Sequence, residues 1–407
     1  MTERHRDRAR LELLHDVGTR IGTTLDITRT ADELAEVAVG RVADGVAVDV
    51  LDCVCQGEAP EPGPVRDEIT FQRVAFRSTQ AAGLPPAYPV GQKASYGFPS
   101  PLTQTLADLR PRLIQRIDEA DDWLTHDPVR ADRIRADRVH SLVVVPLAAR
   151  GTVLGVASLY RSVTSAPFDE DDLTVAAELA AQTGLCVDNA RRYTRERNAA
   201  LTLQNSLLPR HLPAQSAVDV AFSYLPGHAS GTWYDVIPLS GARVALAVGD
   251  VAGQGLRAVA TMGRLRAATH SLAALDLAPE EMLAHLDDLM VRLVDEGRSD
   301  ACPPVDGQPS TAGCAYVVYD PASRRIDVAC AGHPILLHPD GHAQPVDVPC
   351  GPPLGSGGPP HDTWETRLPE GSLIALYTKG LVGARGRRRL TADEPPRPAA
   401  RERAGGV

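Results

Sequence analysis

The sequence predicts an α+β protein: two sheet-bearing halves joined by a long helix. Three observations carry that reading. Short β-rich runs recur in both halves, at 46–55 and 141–160, then at 218–224, 236–239, 243–248, 314–319, 325–329 and 373–377. From 173 to 207 there is no proline and one glycine, Gly184, as a continuous helix requires. In the second half two helical stretches, 256–275 and 279–294, separate strands from strands. That order points to a β-sandwich with helices stacked outside, not to a doubly wound parallel sheet.

At 407 residues the chain exceeds one ordinary core. With 43% hydrophobic but only 4% aromatic residues, its cores must be built from Ala, Val and Leu. A net charge of −10 argues against nucleic-acid binding. No run approaches the roughly 18 apolar residues of a membrane span, and the basic N-terminus lacks the apolar core of a signal peptide. Seven cysteines, an odd count without a regular framework, point to free thiols and a cytoplasmic location. Cys53 and Cys55 fall on an alternating run, where they would face the same way; with no second cluster, core or surface thiols are expected ahead of a metal pair.

In the first half, Leu14, Val17, Ile21 and Leu25 recur at helical spacing, and 30–39 (TADELAEVAV) makes an amphipathic helix. Thr30 followed by Glu33 has the form of a capping box. The run 46–55 (VAVDVLDCVC) reads as a half-buried strand. In 141–160 (SLVVVPLAARGTVLGVASLY), two β-rich runs flank Arg150-Gly151, a tight hairpin turn. Asp169, with Asp172 three positions on, caps the exit helix. With IGTTLD at 21–26, the run 140–160 and FDEDDLTVAAELA at 168–180, residues 11–190 resemble a GAF domain whose exit helix starts near 169. The resemblance implies an antiparallel sheet with flanking helices that binds a small ligand or pairs with a second copy. Cys186 reads as a packing residue.

Residues 191–207 form a helical linker. Ala176, Leu179, Thr183, Cys186, Ala190 and Tyr193 fall at heptad-like steps, which predicts a parallel dimer stalk and a homodimer. The alternative is one helix packed on its own sheet.

The most informative stretch is SGTWYD at 230–235 followed by GDVAGQG at 249–255. Asp250 ends an apolar strand beside small residues, where a carboxylate can hold a hard cation. Together with NSLLP, YLPG, CAGHP at 330–334, PPLG at 352–355 and LYTKGL at 376–381, these motifs resemble a SpoIIE/RsbU-like domain of the metal-dependent PPM phosphatases. The resemblance covers about 200–385. It implies an α-β-β-α sandwich over 208–390, two Mg2+ or Mn2+ ions, and a phosphorylated anti-anti-sigma (STAS-type) protein as partner. Carried over by motif, Asp250 and the Val251 carbonyl are metal ligands. Gly253, Gln254, Gly255 and His333 lie in the phosphate or turn region.

The motifs also depart from the family. Thr232 stands where the pattern GGDWYD has an acid, and Lys379 where YTDG has one. Gln254 replaces a histidine, Cys330 an asparagine, and the tail 391–407 has no strand pattern, so a final strand is expected to be missing and the tail disordered. The two acid losses make the site three charge units more positive. A lysine about 4 Å from a divalent ion is repelled by roughly 8 kcal/mol at an effective dielectric near 20. Lys379 is therefore expected to pair with Asp250 in place of a metal, or to hold a phosphoryl group without turnover. Asp235, three residues along the strand from Thr232, should face the other way, as a hydrogen-bonded turn or strand-end acid. His333 is expected to serve turn geometry, and the arginines at 387–389 to belong to a solvated end. Three outcomes follow: a GAF-regulated pseudophosphatase, an active Mg2+/Mn2+-dependent serine phosphatase, or a GAF dimer with a truncated second domain.

Overall fold

A computed structural model describes residues 18–63, 70–79, 87–95, 99–118, 121–162, 165–209, 213, 218–224, 230–299, 311–332, 335–338 and 348–378. The chain divides into two compact units, 1–198 and 199–407.

The first unit is built on a six-stranded antiparallel sheet. In chain order its strands are β1 (Gly45–Leu51), β2 (Thr70–Ser78), β3 (Lys93–Ser95), β4 (Arg112–Ile114), β5 (Val139–Ala149) and β6 (Thr152–Ser162), arranged β3-β2-β1-β6-β5-β4. Helix α1 (Ile27–Ala38) packs its Leu34, Val37 and Ala38 into the core. Four further helices follow in order: α2 (Asp52–Cys55), α3 (Pro101–Asp108), α4 (Asp122–Thr125) and α5 (Pro128–Ala136). The hairpin between β5 and β6 turns at Arg150 (φ 51°) and Gly151 (φ 77°), as expected of a tight turn.

Three local readings change. The cap of α1 is Asp26, whose side chain accepts from Arg29 N at 2.7 Å, while Thr30 lies one turn inside and donates to the Asp26 carbonyl. Glu33 serves the preceding bend instead. Buried, it accepts from Gly22 N at 2.8 Å and from Thr23 N at 3.3 Å, fixing residues 21–25. Leu25 on that bend is exposed, so the helical spacing that joined it to Ile21 is not used; Leu14 and Val17 lie outside the described residues. Finally, β1 stops at Leu51 and Cys53 and Cys55 sit on the α2 turn, half-buried against the core. Burial pushes the Cys55 thiol up to about 11, as a packing cysteine requires.

Helix α6 (Glu170–Leu207) runs unbroken for 38 residues. Asp172 N donates to Asp169 Oδ1 at 2.9 Å and Asp169 N to Asp172 Oδ2 at 3.0 Å, the expected start. The heptad-like residues have another use. Ala176, Leu179 and Ala190 lie in the core of the first unit and Thr183 is fully buried. Gly184 lets the helix approach so closely that a Cβ there would sit 2.6 Å from the Ala148 carbonyl oxygen. Four of the six seam residues are thus consumed inside one chain, while Cys186 is half-buried and Tyr193 exposed. That weakens the sequence argument for a homodimer without testing the homodimer itself. Cys186 packs by Gly22, as expected.

The second unit contains β7 (Ser230–Pro238), β8 (Val244–Gln254), α7 (Leu256–Ala273), α8 (Pro279–Ser299), β9 (Ala312–Asp320), β10 (Arg325–Ala331), β11 (Ile335–His338), β12 (Thr363–Arg367) and β13 (Leu373–Leu376). Residues 218–224, expected as a strand, have no regular structure. Five strands form an antiparallel sheet, β12-β10-β9-β8-β7, and β11 pairs with β13. Strand alternation sorts the side chains. Trp233, Ala245, Ala247, Cys314 and Tyr316 join Met262, Leu265, Leu286 and Met290 of the two helices. On the opposite face Val248, Ala315, Val317, Val328 and Cys330 meet Ile374 and Leu376 of β13. Helices, sheet and second sheet therefore stack in layers, as the sandwich reading expected. The missing final strand and the tail 391–407 fall outside the described residues.

The cysteines bring one more correction. Cys330 and Cys350 form a disulfide, so the reading of seven unpaired thiols does not hold.

Candidate functional site

The site residues of the second unit are brought together by strand register. Thr232 on β7 pairs directly with Asp250 on β8, and Asp250 pairs on its other side with Gly313 on β9. By alternation this row lies on the face toward the second sheet, next to the row Tyr234, Val248, Ala315 and Cys330. Asp250 is half-buried. The Thr232 hydroxyl lies 3.0 Å from that of Ser230, so its polar demand is met by a neutral neighbour.

Beyond Asp250 the strand continues through Val251, whose side chain is buried on the helix side. The turn Gly253-Gln254-Gly255 is exposed to half-buried, with both glycines at positive φ (98° and 83°), and feeds directly into α7. His333 and Lys379 lie outside the described residues, as does the expected Lys379–Asp250 ion pair.

Asp235 faces the other way, as the three-residue offset requires. It is not at a strand end, however. It is buried in mid-strand, 3.1 Å from Arg266 of α7, and Arg266 also donates to the Leu207 carbonyl at 2.6 Å. That ion pair was illegible in the sequence because its partner lies 31 residues away on a helix.

The described residues do not by themselves make up a two-metal centre. Among the described residues no group of three His, Cys, Asp or Glu side chains is close enough to share an ion. The row itself offers one carboxylate between a threonine and a glycine. A Mg2+ ion sheds its water reluctantly and needs more carboxylate or phosphate oxygen than that.

The first unit holds a second candidate site. A solvent-open cleft, whose enclosed part is only about 60 Å³, lies over β1, β2 and β6 and is walled by Phe76, Tyr160, Ile134, Arg73 and Arg130. Arg73 is held by Asp49 through two bonds of 2.9 and 2.8 Å, both residues being buried. Tyr88 carries Arg73 and Arg130 near its ring and donates to Asp127 at 2.8 Å. Sequence reasoning missed this network, since nothing in a β1 aspartate and a β2 arginine announces their meeting. Arg73→Met leaves Asp49 buried without its partner, and an expected loss of about 3–5 kcal/mol follows. Chemical denaturation of the full-length variant checks it, and a loss below about 1 kcal/mol would mean that water replaces the guanidinium.

Comparison with known families assigns both units. The model of the SpoIIE family (Stage II sporulation protein E) matches residues 240–403, and the GAF domain model matches 26–187. The chain joins a GAF domain to a SpoIIE-family domain. PPM-type phosphatase ancestry comes with the second, and that family generally depends on Mg2+ or Mn2+. The SpoIIE match runs past 385, where the motifs stop, and begins after the Thr232 strand has ended.

Among solved structures the chain is similar to the RsbU and RsbW domains of Rv1364c from Mycobacterium tuberculosis, at 28% identity and a TM-score of 0.32, covering 45% of this chain and 44% of that one. The chain thus spans less than half of that structure's length. The GAF domain of a phosphoenolpyruvate-protein phosphotransferase from Coxiella burnetii is 13% identical, with a TM-score of 0.35 over 46% of this chain and 98% of that one. Free methionine-R-sulfoxide reductase from Neisseria meningitidis, solved with its substrate, is 18% identical, with a TM-score of 0.33 over 45% and 91%. Among the described residues, no helix is long and apolar enough to cross a membrane.

Proposed function

We propose that this protein is a GAF-regulated pseudophosphatase: its SpoIIE domain binds the phosphoserine region of an anti-anti-sigma-type protein without hydrolysing it. The single observation that carries the reading is the Thr232–Asp250–Gly313 row, in which a threonine and a glycine flank the carboxylate on the neighbouring strands. In-line attack by a metal-bound water needs a cation held at that place, and one carboxylate holds a hard dication weakly. The lysine that stands at 379 in place of an acid supports the same direction, since it repels a cation and attracts phosphate. The GAF cleft, walled by aromatic and arginine side chains, supports a small-ligand input.

The test is phosphate release from a phosphoserine STAS-type protein by the full-length chain with Mn2+, beside binding of the same phosphoprotein. Binding of the phosphorylated form in preference to the unphosphorylated one, with release at the buffer rate, is the expected result. Metal-dependent release removed by a chelator would establish an active phosphatase instead.

A further inference from the structure

The Cys330–Cys350 disulfide is placed where a covalent bond can control the Asp250 end of the sheet. Cys330, next to last in β10, is 1% exposed and lies on the Asp250 face. Its row adjoins the Asp250 row, two strands across, which puts the two Cα atoms roughly 12 Å apart. Cys350 is exposed and opens a strap, 350–355, that crosses the end of β10.

The strap makes a defined set of bonds. Gly351 N donates to the Cys330 carbonyl at 2.8 Å, and Gly332 N to the Gly351 carbonyl at 3.1 Å. Leu354 and Ala312 exchange bonds of 2.7 and 3.1 Å, and Gly355 N donates to Asp287 Oδ1 at 2.7 Å. Ala312 is the first residue of β9 and pairs with Val251, and the next residue, Gly313, flanks Asp250. The strap thus steadies the strand that walls the site.

The two halves of the bond differ in access. Cys350 is the exposed residue of the pair and so the side a reductant approaches, while the leaving Cys330 returns to a pocket of Val, Ala and Ile side chains that accept a neutral thiol. Cys314, the nearest cysteine in strand register, faces the helices, and burial, with Asp250 adding to it, pushes its thiol up to about 12. It stays protonated and does not scramble the pair.

We propose that Cys330–Cys350 is a reversible thiol switch that fastens the 350–355 strap, and through it the start of β9, beside Asp250. A dithiol reductant attacks Cys350 Sγ as thiolate. The Sγ–Sγ bond breaks, and Cys330 leaves as thiolate and takes a proton from water. The reductant's second thiolate then expels Cys350, which takes the other proton, and the reductant departs as its own disulfide. The protein has gained two electrons and two protons. With the crosslink gone, the strap is held by backbone bonds and opens locally more often. The switch operates whether or not the domain turns phosphate over.

Hydrogen exchange of the full-length protein, read by mass spectrometry in oxidised and dithiothreitol-reduced states, tests it. A Cys330–Cys350-linked peptide is expected in the oxidised protein, and native dithiothreitol cleaves it. Exchange in 311–314 and 350–355 rises at least tenfold on reduction, the GAF strands β1 and β6 do not change, and reoxidation restores the protection. Cys350→Ser takes the reduced rates and no longer responds to dithiothreitol. If that variant fails to fold, the wild-type cycle of reduction and reoxidation still decides. Absence of the linked peptide after oxidation overturns the proposal. So does exchange that is unchanged by reduction, or a bond that yields only in denaturant.

Discussion

Gly249→Ala is expected to destabilise the SpoIIE domain by about 3 kcal/mol or more, the upper range for overpacking a core. A Cβ at 249 would lie 2.2 Å from the Trp233 ring and 2.7 Å from the Gly313 carbonyl oxygen. Trp233 is fully buried and cannot retreat. For a unit of this size the loss corresponds to roughly 10 °C in Tm. Differential scanning calorimetry of the full-length protein would show one transition falling while that of the GAF domain holds. Trp233→Phe added to the variant recovers only part of the loss, because the Gly313 carbonyl still collides. Full recovery would mean that the ring alone demands the glycine.

The second large effect is a gain. Thr232→Asp together with Lys379→Asp should create Mn2+ binding that the wild-type full-length protein lacks. The first change sets a carboxylate directly opposite Asp250, and the second replaces the lysine by an acid. An improvement of about a hundredfold, worth roughly 3 kcal/mol, is expected by calorimetry. Micromolar Mn2+ binding by the wild type would instead defeat the charge argument and with it the pseudophosphatase.

Much of the fold was readable from residues alone, for physical reasons that can be named. The β5–β6 hairpin was legible because two β-branched runs meet at Arg150-Gly151, where a single local turn sets the register. That Thr232 and Asp250 share one site was implied by the family motifs, whereas their direct strand pairing was not read from the sequence. Misreadings arose where a local rule was satisfied by the wrong residue. Thr30 and Glu33 have capping-box spacing, yet Asp26 wins the cap and Glu33 binds the preceding bend instead. The small residues of α6 fit a heptad, but a helix lying close on its own sheet selects small residues for the same steric reason. Pairings across long sequence distances, Asp49 with Arg73, Asp235 with Arg266 and Cys330 with Cys350, leave no periodic trace, so only the folded chain displays them.

The threonine opposite Asp250 also bears on what keeps the domain folded. Two aspartates facing each other at about 5 Å would repel by roughly 3 kcal/mol at an effective dielectric of about 20, and a bound cation would relieve them. Folding would then be thermodynamically linked to the free concentration of that cation. A threonine sharing its hydroxyl contact with Ser230 removes the repulsion and, with it, the linkage. The SpoIIE domain should melt at the same temperature, within about 1 °C, in chelator and in millimolar Mn2+, so that its readiness to meet a partner does not follow the supply of divalent ions.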